Sequence, residues 1–185
     1  MDRHKHSCLY YDSEESLLEL LHDFFRNGLK ANNLCLWIVP PSLGVEGGKA
    51  ALKKKIKRLD SHIKKNQFEL LSHEEVYLRY GIFDQAVVME FYSKKEQDAL
   101  ERGFNGVYLS GDASWVEQKD WNKLTAYEMA ADRMFNQKKI NALCTYPAKK
   151  FDIVNMFSLS FSHDRILKRG KSEMDVLIDK RDICK

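Results

Sequence analysis

With 185 residues, 44% of them hydrophobic, the chain is sized for one domain with a substantial core. A formal net charge of +3 is too small to mark a nucleic-acid binder. No apolar run approaches the roughly 18 residues of a membrane span and no secretion signal opens the chain, so the cytoplasm is the expected compartment. The four cysteines (Cys8, Cys35, Cys144, Cys184) are widely spaced without a CxxC pair, which argues against a zinc ribbon or a disulfide framework and for free thiols.

In chain order, the first element is "SCLYY" (7–11), a short apolar run that reads as a strand. The stretch before and within it places His4, His6 and Cys8 at alternating positions, so on a strand the three would share one face. They are good transition-metal ligand types, and His6 with Cys8, or all three, are candidate metal ligands. A closed structural zinc site needs a fourth donor, which could come only from a distant part of the chain. The alternatives are a solvated terminus and a small buried thiol.

Asp12, Ser13 and Glu15 then form a capping-box pattern that opens a helix with Leu17, Leu18, Leu21, Phe24 and Phe25 on one stripe and Gly28 near its end. This strand-to-helix turn is where a nucleotide-binding α/β protein carries its glycine-rich phosphate cradle. Here it has neither glycine nor lysine, and Asp12, Glu14 and Glu15 would repel a phosphate from the helix N-terminus. Nucleotide hydrolysis is therefore excluded by charge.

Further strands are expected at "LCLWIV" (34–39), "FELL" (68–71), "GVYLS" (106–110) and "INALCTY" (140–146). All are apolar with little alternation, as strands buried on both faces are. The segment 49–65 carries eight Lys or Arg, yet Leu52, Ile56, Leu59 and Ile63 recur through it at helical spacing. It reads as a solvated basic face over a core-facing stripe, since no aromatics interleave with the charges. Val87, Val88, Phe91 and Tyr92 mark another helix, closed by Gly103, and Leu124, Tyr127, Ala131, Met134 and Phe135 a third. The alternation predicts a three-layer α/β fold, a mainly parallel sheet with helices on both faces. The polar last fifteen residues (171–185) read as an edge strand or a linker.

In open parallel sheets ligands bind beyond the carboxyl ends of the strands. Those ends supply Tyr11 with Asp12, Pro40 with Pro41, His73 beside Ser72 and Glu74, Asp112 to Trp115, and Tyr146: aromatic walls with a few polar groups, as a small-molecule pocket needs. For Trp115 the competing role is a plug at the end of the core. For His73 it is the first turn of the helix that leads to Tyr77. For Asp112 a hydrogen-bonding, loop-ordering role fits better than metal binding. Cys8 and Cys144 fall in strands that could be neighbours, giving either a thiol pair for covalent, redox or metal-assisted chemistry or two small buried apolar groups.

The phrases "HSCLYYDSEES", "GLKANNLCLWIVP", "LLSHEEVYLRYGIFD", "GVYLSGDASW", "YEMAAD" and "ALCTYP" occur in one order and together resemble the MEDS family, the methanogen/methylotroph DcmR sensory domain. The resemblance spans about His6 to Gly170. It implies a sensory domain at 1–170, with 171–185 an edge strand or linker to an absent output domain, and a RecA/KaiC-like fold without a P-loop. It also implies a sensing role for simple hydrocarbon or methylated compounds in prokaryotic signalling, coupled to an output kinase or DNA-binding regulator. The family's opening His and Cys fall on His6 and Cys8, and its Gly-Asp-x-Ser-Trp phrase on Gly111, Asp112, Ser114 and Trp115.

The combined expectation is a cytoplasmic, non-catalytic small-molecule sensor, a monomer or homodimer, without direct nucleic-acid or membrane binding. Its candidate ligand-binding residues are His6, Cys8, Tyr11, His73, Asp112, Ser114, Trp115 and Cys144, and no cofactor is expected beyond a metal at His6 and Cys8. The alternatives are an enzyme with Cys8 as nucleophile and His6 as base, and a degenerate RecA-like scaffold that docks proteins through its helices.

Overall fold

The computed structural model describes residues 5–169 and 174–179. His4 and Cys184 lie outside the described residues. The chain forms a seven-stranded sheet with helices on both faces. Its strands are β1 (His6–Tyr11), β2 (Leu34–Val39), β3 (Phe68–Ser72), β4 (Val107–Asp112), β5 (Ile140–Pro147), β6 (Arg165–Arg169) and β7 (Met174–Asp179). In space they lie in the order β3-β2-β4-β5-β1-β6-β7. The first six are parallel, and β7 pairs antiparallel with β6 at the edge.

The continuous apolar runs follow from this placement, because a parallel strand covered by helices on both sides has no solvent face. Every residue of β1 and β2 is buried. Alternate side chains divide between two cores. Cys8, Tyr10, Leu34, Leu36 and Ile38 enter one, while Leu9, Tyr11, Cys35, Trp37 and Val39 enter the other.

The second core is roofed by α1 (Glu14–Lys30), α2 (Gly44–Lys53) and α3 (Leu59–Lys64), which contribute Leu17, Leu21, Phe25, Leu52 and Leu59. The cap of α1 is Ser13, not Asp12: its side chain accepts from the Ser16 backbone N–H while Ser16 reciprocates, and Glu14 and Glu15 occupy the first turn. The basic segment is not one helix. It breaks between α2 and α3 at Arg58, whose φ of 61° is left-handed. Leu52, Ile56 and Leu59 nevertheless remain buried in the second core, with Ile63 packed against it.

The first core is covered by α4 (His73–Val76), α5 (Gln85–Glu101), α6 (Trp121–Gln137) and α7 (Ile153–Ser160), through Val76, Val88, Tyr92, Leu124, Tyr127, Ala131, Phe135 and Leu159. Two of these helices carry a buried acid in the apolar stripe. Glu96 on α5 accepts from Lys138 Nζ at 2.8 Å and from the Lys139 backbone N–H at 2.7 Å. Glu128 on α6 faces the candidate site. Among the described residues no helix is long and apolar enough to cross a membrane.

Gly28 sets the approach of α1 to the sheet, because a Cβ there would stand 2.7 Å from Tyr108 Cγ. Tyr108 is pinned by Phe24 at 4.9 Å between ring centroids. Gly28→Ala should therefore cost about 1–3 kcal/mol through overpacking, read as a lower urea midpoint at unchanged m-value.

Candidate functional site

A group of polar side chains converges under α6, in the middle of an otherwise apolar layer. His6 opens β1, Glu128 lies on α6, Cys144 lies in β5, and His163 follows α7 just before β6. One ligand atom from each lies within 4.8 Å of the others. His6 Nε2 is 3.3 Å from Cys144 Sγ and 3.3 Å from Glu128 Oε2. Glu128 Oε2 is 3.7 Å from Cys144 Sγ and 3.7 Å from His163 Nε2.

The sheet topology makes this convergence possible. β1 is inserted between β5 and β6, with Cys8 opposite Cys144 and Ser7 opposite Arg165. His6 and His163 are shielded, their ring centroids 4.0 Å apart and the planes tilted by 32°, and Glu128 is only 3% exposed. A carboxylate so buried is tolerable only if it is paired and hydrogen-bonded. Glu128 meets that demand through His6, His163 and Cys144 on one oxygen, and Oε1 accepts from the Tyr146 hydroxyl at 2.9 Å.

The protonation of the cluster follows from its packing. Burial disfavours a charged His6, but Cys144, Asp132 and Glu128 outweigh it and hold the imidazole well above its usual range. Burial and the Glu128 charge push the Cys144 thiol up to about 11, against a lowering pull from His6. Cys8 is 0% exposed and its thiol is also raised by burial. It is the register partner of Cys144, yet it is not one of the four convergent donors. Of the expected metal ligands His4, His6 and Cys8, His4 lies outside the described residues, His6 is one of the four convergent donors and Cys8 is not. Alternation along β1 does put His6 and Cys8 on one face, but the other donors come from neighbouring elements.

Toward the carboxyl end of the sheet a second polar group orders the loop after β4. Asp112, 2% exposed, accepts from Tyr11 Oη at 2.8 Å, Thr145 Oγ1 at 2.9 Å and the Ser114 backbone N–H at 2.8 Å. Trp115 stacks on Tyr77 at 5.1 Å and tilts against Phe83 at 5.3 Å. A Cβ at Gly111 would lie 2.0 Å from Tyr77 Oη, which explains the glycine in this phrase. The Tyr77, Tyr92 and Tyr127 hydroxyls form a buried chain, with Tyr92 donating to Tyr77 at 3.2 Å and Tyr127 to Tyr92 at 3.4 Å.

A small cavity joins the two groups, and its wall includes Asp112, Trp115, Tyr127, Glu128, Cys144 and Tyr146. Measured to the centre of a water-sized sphere it is about 10 Å³, room for about one water. The indole N–H of Trp115, a residue of this wall, is buried with no acceptor among the described residues. Of the other sequence candidates, His6 contacts the wall residues Glu128 and Cys144, Cys8 is the register partner of Cys144, and Tyr11 reaches the wall through Asp112. His73 is not in its wall: it opens α4, capped by Ser72 with Glu75 reciprocating, and pairs with Glu74 at 3.0 Å. A larger open groove of about 440 Å³ lies by α1 and α3, lined by Arg26, Lys30, Lys55 and Lys57, but no buried polar group converges on it.

Sequence reasoning missed Glu128 and His163. Glu128 had a signal, since Leu124, Glu128, Ala131 and Phe135 recur at helical core spacing and a charge in such a stripe must have a buried partner. His163 sits between α7 and β6, outside any periodic element, and left none.

The fold is an α/β domain with a buried polar cluster on one face of a mainly parallel sheet and an acidic turn, Glu14 and Glu15, opening its first helix. The chain matches the family described as MEDS, MEthanogen/methylotroph, DcmR Sensory domain, over residues 5–164, and it belongs to that family of sensory domains. No curated protein matches it.

Burial is the largest influence on Asp112 and raises its pKa despite the hydrogen bonds that oppose it. An acid whose folded pKa exceeds its unfolded value binds more protons when folded, so its contribution to stability falls as pH rises through that interval. Relative to Asp112→Asn, the wild type should therefore lose stability as pH rises above about 4. Urea unfolding of both proteins across a pH series measures this difference.

Proposed function

We propose that this chain is a cytoplasmic input domain that binds a small molecule in the cavity between Trp115 and Glu128 and passes the change to an output partner, without turnover. The observation that carries the reading is the Trp115 indole N–H, buried without an acceptor in a residue that lines a cavity. A buried unpaired donor costs about 1–3 kcal/mol, so a ligand acceptor placed there recovers energy available from no protein group nearby. Aromatic walls from Tyr77, Tyr127 and Tyr146 suit an apolar remainder. The ligand class is then a compound of few heavy atoms with one acceptor, in keeping with simple hydrocarbon or methylated derivatives; because the closed cavity holds only about one water, its entry must displace wall side chains such as Tyr146.

Transmission has a physical route. Tyr146 and Glu128 line the cavity and also contact His163, which is tied to α7 by its Nδ1 on the Leu159 carbonyl at 2.7 Å. Displacement of Tyr146 by a ligand therefore reaches α7, where an output kinase or DNA-binding regulator domain would sense it. The non-catalytic reading is supported by the state of Cys8: a wholly buried thiol with a raised pKa is a poor nucleophile, and His6 Nε2 is turned to Cys144.

Thermal unfolding in the presence of small alcohols, ethers, amides and halomethanes tests this. A binder at a hundred times its Kd should stabilise the fold by about 2.7 kcal/mol. Trp115→Phe keeps the stack on Tyr77 but removes the N–H, so the apo protein should stay folded and the ligand-dependent gain should shrink by at least half. Full stabilisation of the variant would place the site elsewhere.

A further inference from the structure

We propose that His6 Nε2, Glu128 Oε2, Cys144 Sγ and His163 Nε2 form a closed four-donor site for a divalent transition metal ion of the zinc class. The inference rests on the donor geometry alone and does not depend on the small-molecule reading.

Three observations carry it. The first is distance. Tetrahedral zinc with bonds of about 2.0–2.3 Å holds its donors about 3.3–3.8 Å apart. Four of the donor pairs are at 3.3, 3.3, 3.7 and 3.7 Å, and all four atoms lie within 4.8 Å of one another.

The second is the orientation of the two imidazoles. His6 Nδ1 is 2.8 Å from the Ser162 carbonyl oxygen, and His163 Nδ1 is 2.7 Å from that of Leu159. A carbonyl only accepts, so each Nδ1 carries the proton. In the neutral rings both Nε2 lone pairs then point at the same spot. Metal-binding histidines are typically fixed in this way, by donation of the second ring N–H to a backbone carbonyl or carboxylate. The carboxylate is held likewise, with Tyr146 donating to its other oxygen.

The third is charge. Two neutral imidazoles, one carboxylate and one thiolate exactly offset a dication, so the occupied site buries no net charge. Binding forms four metal–ligand bonds and releases the Cys144 thiol proton to solvent, together with any proton on His6 Nε2. Mixed nitrogen and sulfur donors select a borderline ion such as Zn²⁺ or Co²⁺ over Mg²⁺ or Ca²⁺. Since the donors come from β1, α6, β5 and the α7–β6 connection, the ion would clamp the N-terminal strand to three later parts of the chain.

The test uses the full chain, expressed in zinc-supplemented medium with its affinity tag removed. Elemental analysis should find about one zinc per chain. Exchange with Co²⁺ after chelation should give tetrahedral visible bands and a thiolate-to-cobalt charge-transfer band in the near ultraviolet. Cys144→Ser, almost isosteric, should abolish the charge-transfer band and weaken Co²⁺ binding at least 100-fold, whereas Cys8→Ser should change neither. A folded wild-type chain that takes up neither zinc nor Co²⁺, including when refolded with excess Co²⁺, overturns the assignment. So does a cobalt spectrum without the thiolate band, or one that persists in Cys144→Ser.

Discussion

A carboxylate held out of water is the constraint on which the site's architecture turns. Glu128 occupies a core position of α6, and its charge in that apolar layer would cost several kcal/mol if left unpaired. Each neighbouring polar group answers that cost. Tyr146 is held by its hydroxyl, the adjacent rings of His6 and His163 bring both Nε2 atoms to one oxygen, and Cys144 completes the ring. The surrounding layer is aromatic, with Phe135 edge-on to His6 at 5.2 Å and Phe151 edge-on to Tyr146 at 5.9 Å. Rings of that size leave little freedom for the polar atoms they enclose.

The same network divides the labour between two ends of one cavity. At the outer end Asp112 accepts three hydrogen bonds, one of them from the backbone N–H of Ser114, and so orders the loop that carries Trp115. Glu128 and Cys144 form the inner wall, where the electrostatic demand is greatest. A molecule between them would meet a donor at one end and a charged, polarisable surface at the other. Such an environment would reward a dipole of one orientation in the proposed ligand.

Much of the fold was legible because parallel strands buried on both faces cannot hide their pattern. The runs at 34–39, 68–71 and 140–146 coincide closely with β2, β3 and β5, and the helical stripes ending at Gly28 and Phe135 lie on α1 and α6. The basic stretch kept its apolar stripe but not its continuity, since spacing alone does not register a left-handed residue such as Arg58. The site was legible only in part, for a related reason. Alternation assigns His6 and Cys8 to one face, yet which donors stand opposite them depends on β1 being inserted between β5 and β6, a fact of topology that no local window contains. That Tyr11, Asp112, Ser114 and Trp115 stand together was legible because they lie at or just beyond the carboxyl ends of strands.

The insertion of the first strand between β5 and β6 has a consequence for how the chain reaches its native state. β1 pairs His6 with Ala142 and Ser7 with Arg165, so this early strand waits for residues about 160 positions later before both its edges are filled. Until then it is a ribbon, apolar from Cys8 to Tyr11, with unsatisfied amides and carbonyls, open to pairing with other chains. Contacts across more than 130 residues also carry a large loop-closure entropy before any return, which places such a sheet among the slower folders. The domain's vulnerability during synthesis thus lies at its N-terminus, in the strand that later becomes one of its best-protected elements.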